Sequence, residues 1–482
     1  MGWILFAQSM EMTQQDTRIL LNQFFGSVLS YLEQRQLETE IIKPAVSLEE
    51  LEKIFTLNDP GSVANIKALV DQYLASAVRT GHPHFYNQLF SGFSLYGFMG
   101  EVVTALTNSS MYTFEMSPVA TIMEKELVTK MAKLVGYPAG GGTFVTGGSN
   151  GNMLAMLAAR HRFAPQSKWK GLSGLSPLVA FISQDAHYSM LKAASQVGIG
   201  IEHVKKIPVN EQGQMIAGAL EDAILDAQNK DQKPFFVGAT SGTTIRGVFD
   251  PLEEIGSICS EFDLWFHVDG SWGGSVLLSS AHRDLLSGAE LSDSFSWCAH
   301  KMMGAPLMCT VALFKTPDIL VEINQISGTD YLFHDGQDIQ LDLGNISLQC
   351  GRRVDALKLW LAWKYYGDEG YEKNIDRLFS LAGYAAKKVE QSDQLRLMND
   401  VKFLNICFQI RPKNVSADAY NDITVAVRNR MVETGGSMVN YAYINSHLVI
   451  RLITANFELR ETHLDRFFDQ VNKAVDFVLA KK

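Results

Sequence analysis

An aspartate that closes an apolar run and a lysine thirty-two positions downstream are the two charges from which this chain is best read. The run 264–268 delivers Asp269 to a strand end, and Lys301 follows His300 among small and apolar neighbours. A lysine amine can form a Schiff base with an aldehyde, and a carboxylate facing a pyridine nitrogen keeps it protonated, so that the ring accepts electrons from a carbanion. Those are the two charges that a pyridoxal phosphate site needs. Taken singly, each residue has an ordinary explanation, Asp269 as a strand-end cap and Lys301 as a solvated surface lysine.

Three further groups fit the same chemistry. The run 140–152, GGGTFVTGGSNGN, feeds a helical pattern starting near Asn152. A glycine-rich turn before a helix offers free backbone N–H groups at the positive end of the helix dipole, which suits a phosphate, and Gly148 and Ser149 are the main donors expected. Such turns also serve packing alone. His187 follows one apolar run and Thr240 another, so both are expected at the carboxyl edge of a sheet, where open α/β sheets bind ligands. A flat imidazole there could stack on a pyridine ring. The plainer readings are a helix-start histidine and a Ser/Thr turn.

The elements that must position these residues are legible as periodicity. Apolar runs at 178–182, 235–239, 264–268 and 311–314 alternate with helical patterns, which predicts a mostly parallel sheet with helices on both faces. Before this region, residues 13–38 and a stretch starting at Ser47 have helical spacing. After it come two long helices, at 355–365 and 370–391, strands near 403–410, 437–443 and 448–453, and a last helix at 461–479. The division expected is a helical arm over 1–80, a large domain over 81–356 and a small α+β domain over 357–482. Residues 327–345 hold no period and read as a long mobile loop of the functional kind.

Composition narrows the function classes. The 482 residues carry a net charge of −10, which argues against a nucleic-acid partner. Five cysteines, widely spaced and without a C-x-x-C pair, read as reduced thiols of a cytoplasmic protein. The start has too short an apolar stretch for a signal peptide or a membrane span, and the segment before Met12 reads as an alternative-start extension.

With these residues in hand, the chain resembles the group II pyridoxal-phosphate decarboxylases, which act on glutamate, cysteine sulfinate, aspartate and aromatic amino acids. The likeness runs from His82-Pro83-His84-Phe85-Tyr86-Asn87-Gln88-Leu89 through Gly147-Gly148-Ser149, His187-Tyr188-Ser189, 239–244, His267-Val268-Asp269 and His300-Lys301. It continues through Tyr331-Leu332-Phe333 to 348–355. The resemblance implies an aminotransferase-like fold of type I with a mostly parallel seven-stranded sheet. It also implies pyridoxal 5'-phosphate as cofactor, no metal, and a homodimer with the active site at the interface. By the same resemblance Lys301 is the Schiff-base lysine, Asp269 the pyridine-nitrogen partner and His187 the stacking residue. Gly148, Ser149 and His300 hold the phosphate, Ser271 and Thr240 lie beside the cofactor, and Tyr331 is a loop tyrosine that reprotonates the substrate carbon. Two departures stand out: Cys298-Ala299 replaces the family's usual Asn-Pro, and Gly270-Ser271 replaces two alanines.

The expected reaction is α-decarboxylation of an L-amino acid to an amine and carbon dioxide. Phe90, Ser110 and Tyr112 occupy substrate-pocket positions in a combination resembling that for shorter acidic substrates, such as cysteine sulfinate or aspartate, with glutamate a further member of the class. Gln88 and Arg451 are the expected carboxylate partners, Arg451 because its guanidinium fork binds carboxylates through two nitrogens. Ordinary core packing is the competing explanation for Phe90 and Tyr112. Two other readings stay open: a decarboxylase of aromatic or branched-chain amino acids, and an inactive family member with a binding role.

Overall fold

The computed structural model describes residues 13–35, 37, 41–57, 63–326, 328, 333 and 341–481. Its centre is a seven-stranded sheet of β1 (Gly141–Val145), β2 (Leu178–Ser183), β3 (Val204–Ile207), β4 (Lys233–Thr240), β5 (Trp265–Asp269), β6 (Ser294–Cys298) and β7 (Thr310–Phe314). The spatial order is β1-β7-β6-β5-β4-β2-β3, with β7 antiparallel to both neighbours and the other pairings parallel. The four apolar runs are β2, β4, β5 and β7, each almost wholly buried, as expected of strands covered on both faces.

Three strands of this sheet escape a search for apolar runs, among them β6 (SFSWC), which alternates serine with larger residues although every position is buried. β3 (VKKI) is an edge strand in which two lysines separate the buried Val204 and Ile207. β1 lies inside the glycine-rich run, which reads as a turn throughout. It is a strand because a Cβ on Gly142 would come within 2.1 Å of the Ala312 carbonyl, so glycine is what allows β1 to approach β7.

Register then sets the site. Thr240 pairs with Asp269 and Asp269 with Ser296, while Thr310 at the start of β7 pairs with both Val145 and Cys298. The carboxyl ends of β1, β4, β5 and β6 therefore share one edge. Among the helices that precede or interleave with these strands are α1 (Gln14–Gln34), α2 (Leu95–Thr107), α3 (Pro118–Val135), α4 (Gly148–Phe163) and α5 (Ser189–Gln196). α4 leaves the end of β1 and α5 begins six residues after the end of β2, so both start at that edge.

The C-terminal part is a four-stranded antiparallel sheet of β8 (Leu395–Leu397), β9 (Asn405–Ile410), β10 (Asn440–Ile444) and β11 (His447–Ile453), in the order β10-β11-β9-β8. Against it pack α6 (Ala356–Glu390), α7 (Tyr420–Glu433) and α8 (Glu461–Ala480). The two expected helices are the halves of α6, divided at Gly367, whose φ of 64° lies in the left-handed region that favours glycine. One apolar core runs through both parts, from Leu127 and Phe266 to Phe408 and Phe467.

Candidate active site

A cavity of about 210 Å³ opens at the shared strand edge. Gly148, Ser149, His187, Thr240, Asp269, Ser271, His300 and Lys301 all line it, together with Asn152, Ser189, Gly242, Thr244, Trp272 and Cys298. Residues scattered over more than 150 positions meet here because parallel strands end in register and helices start just beyond them.

The glycine-rich turn forms one wall. Gly147 has φ 133°, outside the range open to residues with a Cβ, and its carbonyl accepts from Asn150 and Gly151 at 3.0 and 3.1 Å. The preceding amides, those of Gly148 and Ser149, stand at the positive end of the α4 dipole. A Cβ on Gly148 would lie 2.4 Å from Ser271 Oγ and 3.2 Å from Cys298 Sγ. The hydroxyls of Ser271 and Thr240 are buried and have no hydrogen-bond partner among the described residues. Buried donors with no protein acceptor, beside a helix start, suit a ligand rich in oxygen acceptors. The Gly148 and Ser149 amides and the Ser271 hydroxyl fit a phosphate, and the Thr240 hydroxyl, at the end of β4, fits another part of the same ligand.

At the far side, Asp269 is 5% exposed and accepts from the Asn152 amide at 2.8 Å and the Ser271 N–H at 3.1 Å. Burial pushes its carboxyl up, but Lys301, Ser271, Asn152 and His267 outweigh that and hold it below the ordinary carboxylate value. It is an anion at neutral pH. His187 is driven the other way: burial, and then Lys301 and Lys192, lower its pKa despite Asp269. Its imidazole is neutral at pH 7. His300 Nδ1 is tied to the backbone of Cys309, accepting from the N–H at 3.0 Å, which fixes the ring beside Lys301.

Cys298 occupies the position where a side-chain amide was expected. Burial raises its thiol pKa, yet Lys301, His300 and Thr310 more than offset this and bring it down to about 7, against an ordinary 9.0. In cofactor-free protein, alkylation of Cys298 by iodoacetamide is therefore expected to rise with pH through a midpoint near 7. Phosphate should slow it. Peptide mass spectrometry across pH checks this, and a midpoint near 9 or no effect of phosphate would count against a thiol at the anion subsite.

The structure does not bring the expected substrate residues into this cavity within one chain. Phe90 packs on Phe85, Ser110 Oγ donates to the Cys350 carbonyl at 3.0 Å, and Tyr112 lies against Phe333 with ring centroids 5.2 Å apart. Gln88 is half-buried beside them in sequence and is also absent from the lining. Arg451 comes nearer: its Nη1 donates at 2.9 Å to the carbonyl of Thr244, a lining residue, and its Nη2 at 3.0 Å to that of Asn87. Tyr331 and most of the loop at 327–345 lie outside the described residues.

Asn152 was not singled out by sequence reasoning, although a signal existed. It sits four residues after Gly148 on α4, hence on the same helix face, and its amide reaches Asp269, Ser189 and His267.

Comparisons with known proteins identify the family. The family model described as the pyridoxal-dependent decarboxylase conserved domain matches residues 48–411. Cysteine sulfinic acid decarboxylase of Mus musculus is 40% identical over 400 residues, 81% of each chain, and glutamate decarboxylase of Drosophila melanogaster is 35% identical over 478 residues, covering 96% of this chain and 94% of its own. A crystal structure of mouse CSAD superposes with a TM-score of 0.93 at 35% identity, covering 96% of this chain and 99% of that one. The chain therefore belongs to the pyridoxal-dependent decarboxylases, enzymes of fold type I whose cofactor is pyridoxal 5'-phosphate.

Proposed function

We propose that this enzyme removes the α-carboxylate of a short acidic L-amino acid, cysteine sulfinate or aspartate, with glutamate a longer member of the same class. The observation that carries the reading is the cavity in which Lys301 and buried, ionised Asp269 stand with unpartnered hydroxyls at a helix start. The substrate class is supported by relatives named for cysteine sulfinic acid and glutamate.

The cofactor supplies, when bound, an electron sink for the bond broken as carbon dioxide leaves. Lys301 would anchor it covalently and Asp269 would keep the pyridine nitrogen protonated. The Gly148 and Ser149 amides, the Ser271 hydroxyl and His300 would hold the phosphate, with Thr240 beside the ring. His187 would lie flat on the ring and hold a proton for the substrate carbon, a role it shares with Tyr331. Arg451 would take a substrate carboxylate. Its Nε is buried without a partner among the described residues, so it has a donor to spare.

The active unit is a homodimer. On α2 the buried side is Gly97, Gly100 and Thr104, while Leu95, Met99, Val103 and Leu106 stand exposed in a stripe. Met116, Val119 and Ile122 extend it, and α1 has no buried residue although it carries Ile19, Phe24, Phe25 and Leu29. Apolar faces of this extent call for a partner, and a second copy is the simplest. Ser110 and Tyr112 lie in the same segment, so a copy seated there brings them toward its own cavity. Light scattering is expected to give twice the 53.5 kDa of one chain. A stable monomer with full activity contradicts the dimer.

The five cysteines are unpaired, four of them buried, which supports a reducing, cytoplasmic setting. No described helix is long and apolar enough to cross a membrane. Substrate choice is tested by offering the common amino acids together with cysteine sulfinate and identifying amines by mass spectrometry. Hypotaurine or β-alanine should dominate; an amine from a neutral or aromatic amino acid, with the acidic ones inert, overturns the substrate assignment.

A further inference from the structure

A chain of hydrogen bonds that runs along the cavity wall and into the residues behind it links the two groups on which the proposed chemistry depends. Trp265 Nε1 donates to Ser294 Oγ at 2.9 Å, and Ser294 Oγ meets His267 Nδ1 at 2.9 Å. His267 Nε2 meets Asn152 Oδ1 at 3.1 Å. Asn152 Nδ2 then serves two acceptors, Asp269 Oδ2 at 2.8 Å and Ser189 Oγ at 3.0 Å. Ser189 Oγ in turn lies 2.8 Å from His187 Nδ1.

The donors along this chain follow from the one group in it that can only accept. A carboxylate only accepts, so the NH₂ of Asn152 must face Asp269, and its carbonyl oxygen must face His267. That oxygen needs a proton, which places the His267 hydrogen on Nε2 and lets the Ser294 hydroxyl donate to Nδ1. Each bond then has one donor and one acceptor with His267 neutral. Burial, opposed by Asp269 and Ser294, lowers the His267 pKa to about 4, in keeping with that state. At the other end, the backbone N–H of Ser189 points at His187 Nδ1 at 3.3 Å, so this nitrogen is an acceptor. The Ser189 hydroxyl, already receiving from Asn152, donates to the same atom. The His187 proton is thereby assigned to Nε2, the ring nitrogen that no described residue takes.

We propose that Asn152, through Ser189, is a positioning residue that couples the orientation of the Asp269 carboxylate to the tautomer of His187. One amide group holds Asp269 Oδ2 in place and, by occupying the Ser189 oxygen, turns the Ser189 proton toward His187. The imidazole then presents Nε2–H, not a lone pair, to whatever lies in the cavity. A side chain of hydrocarbon at 152 would release both ends at once. A hydroxyl missing at 189 would release only the histidine. The inference rests on the assignment of His187 as proton holder and Asp269 as nitrogen partner.

The test reads the tautomer directly. In cofactor-loaded wild-type protein labelled at histidine nitrogens, long-range ¹H–¹⁵N correlation should show His187 in the Nε2–H form and His267 likewise. In Ser189→Ala the His187 form should become mixed, and Ser189→Thr, which keeps the hydroxyl, should restore it. Asn152→Leu should disturb His187 in the same way and also shift the visible absorption of the bound cofactor, because Asp269 loses its amide donor. Its kcat should fall about 10- to 100-fold, as for other residues that orient a reacting group from behind, with KM little changed. Nδ1–H at His187 in the wild type overturns the proposal even if no variant folds. So does an unaltered tautomer and spectrum in both Asn152→Leu and Ser189→Ala. Failure of the functional assignment would look different, as a Lys301→Ala protein that still turns over, and the wild-type tautomers are read without any turnover.

Discussion

Lys301→Ala is expected to lower kcat on the order of 10⁴-fold or more, because the role proposed for the residue is the covalent anchor of the cofactor. Lys301 reaches the cavity from the turn after β6, beside His300, and its charge is the largest influence opposing the burial of Asp269. Removing the ammonium lets burial push the Asp269 carboxyl up. A cost of about 1–3 kcal/mol in folding stability is expected, since a buried carboxylate loses its compensating charge but keeps its donors from Asn152 and Ser271. Steady-state kinetics with the identified substrate, paired with urea denaturation, separates the two effects. A Lys301→Ala protein that folds and turns over at a near-native rate would refute the assignment.

Asp269→Asn carries the second large effect. The amide has nearly the shape of the carboxylate but no charge to keep a pyridine nitrogen protonated, and kcat is expected to fall about 10²- to 10³-fold, the scale found when one preorganised electrostatic group is removed. Stability gives an independent reading. The Asp269 pKa is lowered in the folded protein, so its ionised form contributes stability that is fully present above its ordinary value of 3.8 and is lost as the pH falls through the lowered folded value. Asp269→Asn should lack that acid-side dependence while losing activity at every pH. Urea midpoints between pH 3 and pH 7, alongside kcat, check both parts. Unchanged kcat in a folded Asp269→Asn protein would remove the carboxylate from the chemistry.

The parts of the fold visible in the sequence were those written as period and punctuation. Runs such as 178–182 and 264–268 are buried on both faces and contain little but apolar residues, and Asp269 interrupts such a run where the strand must end. Lys301 and His187 could be read as site candidates because chain order and strand-end position bring them to one sheet edge. β1 was hidden because its glycines look like a turn until the Ala312 carbonyl is seen pressing on Gly142. The Asn152 network was hidden for a different reason. Its partners, at 187, 189, 267, 269 and 294, are joined only by register between strands and by two helix starts, and no spacing along the chain announces them. Phe90, Ser110 and Tyr112 are a third case, since their contacts within one chain lead away from the cavity.

The most direct measurement is borohydride reduction of the cofactor-loaded enzyme, followed by proteolysis and mass spectrometry. The expected result is loss of the visible chromophore with one pyridoxyl group recovered on the peptide carrying Lys301. Label on any other lysine, or none despite full activity, would contradict a site built on Lys301 and Asp269.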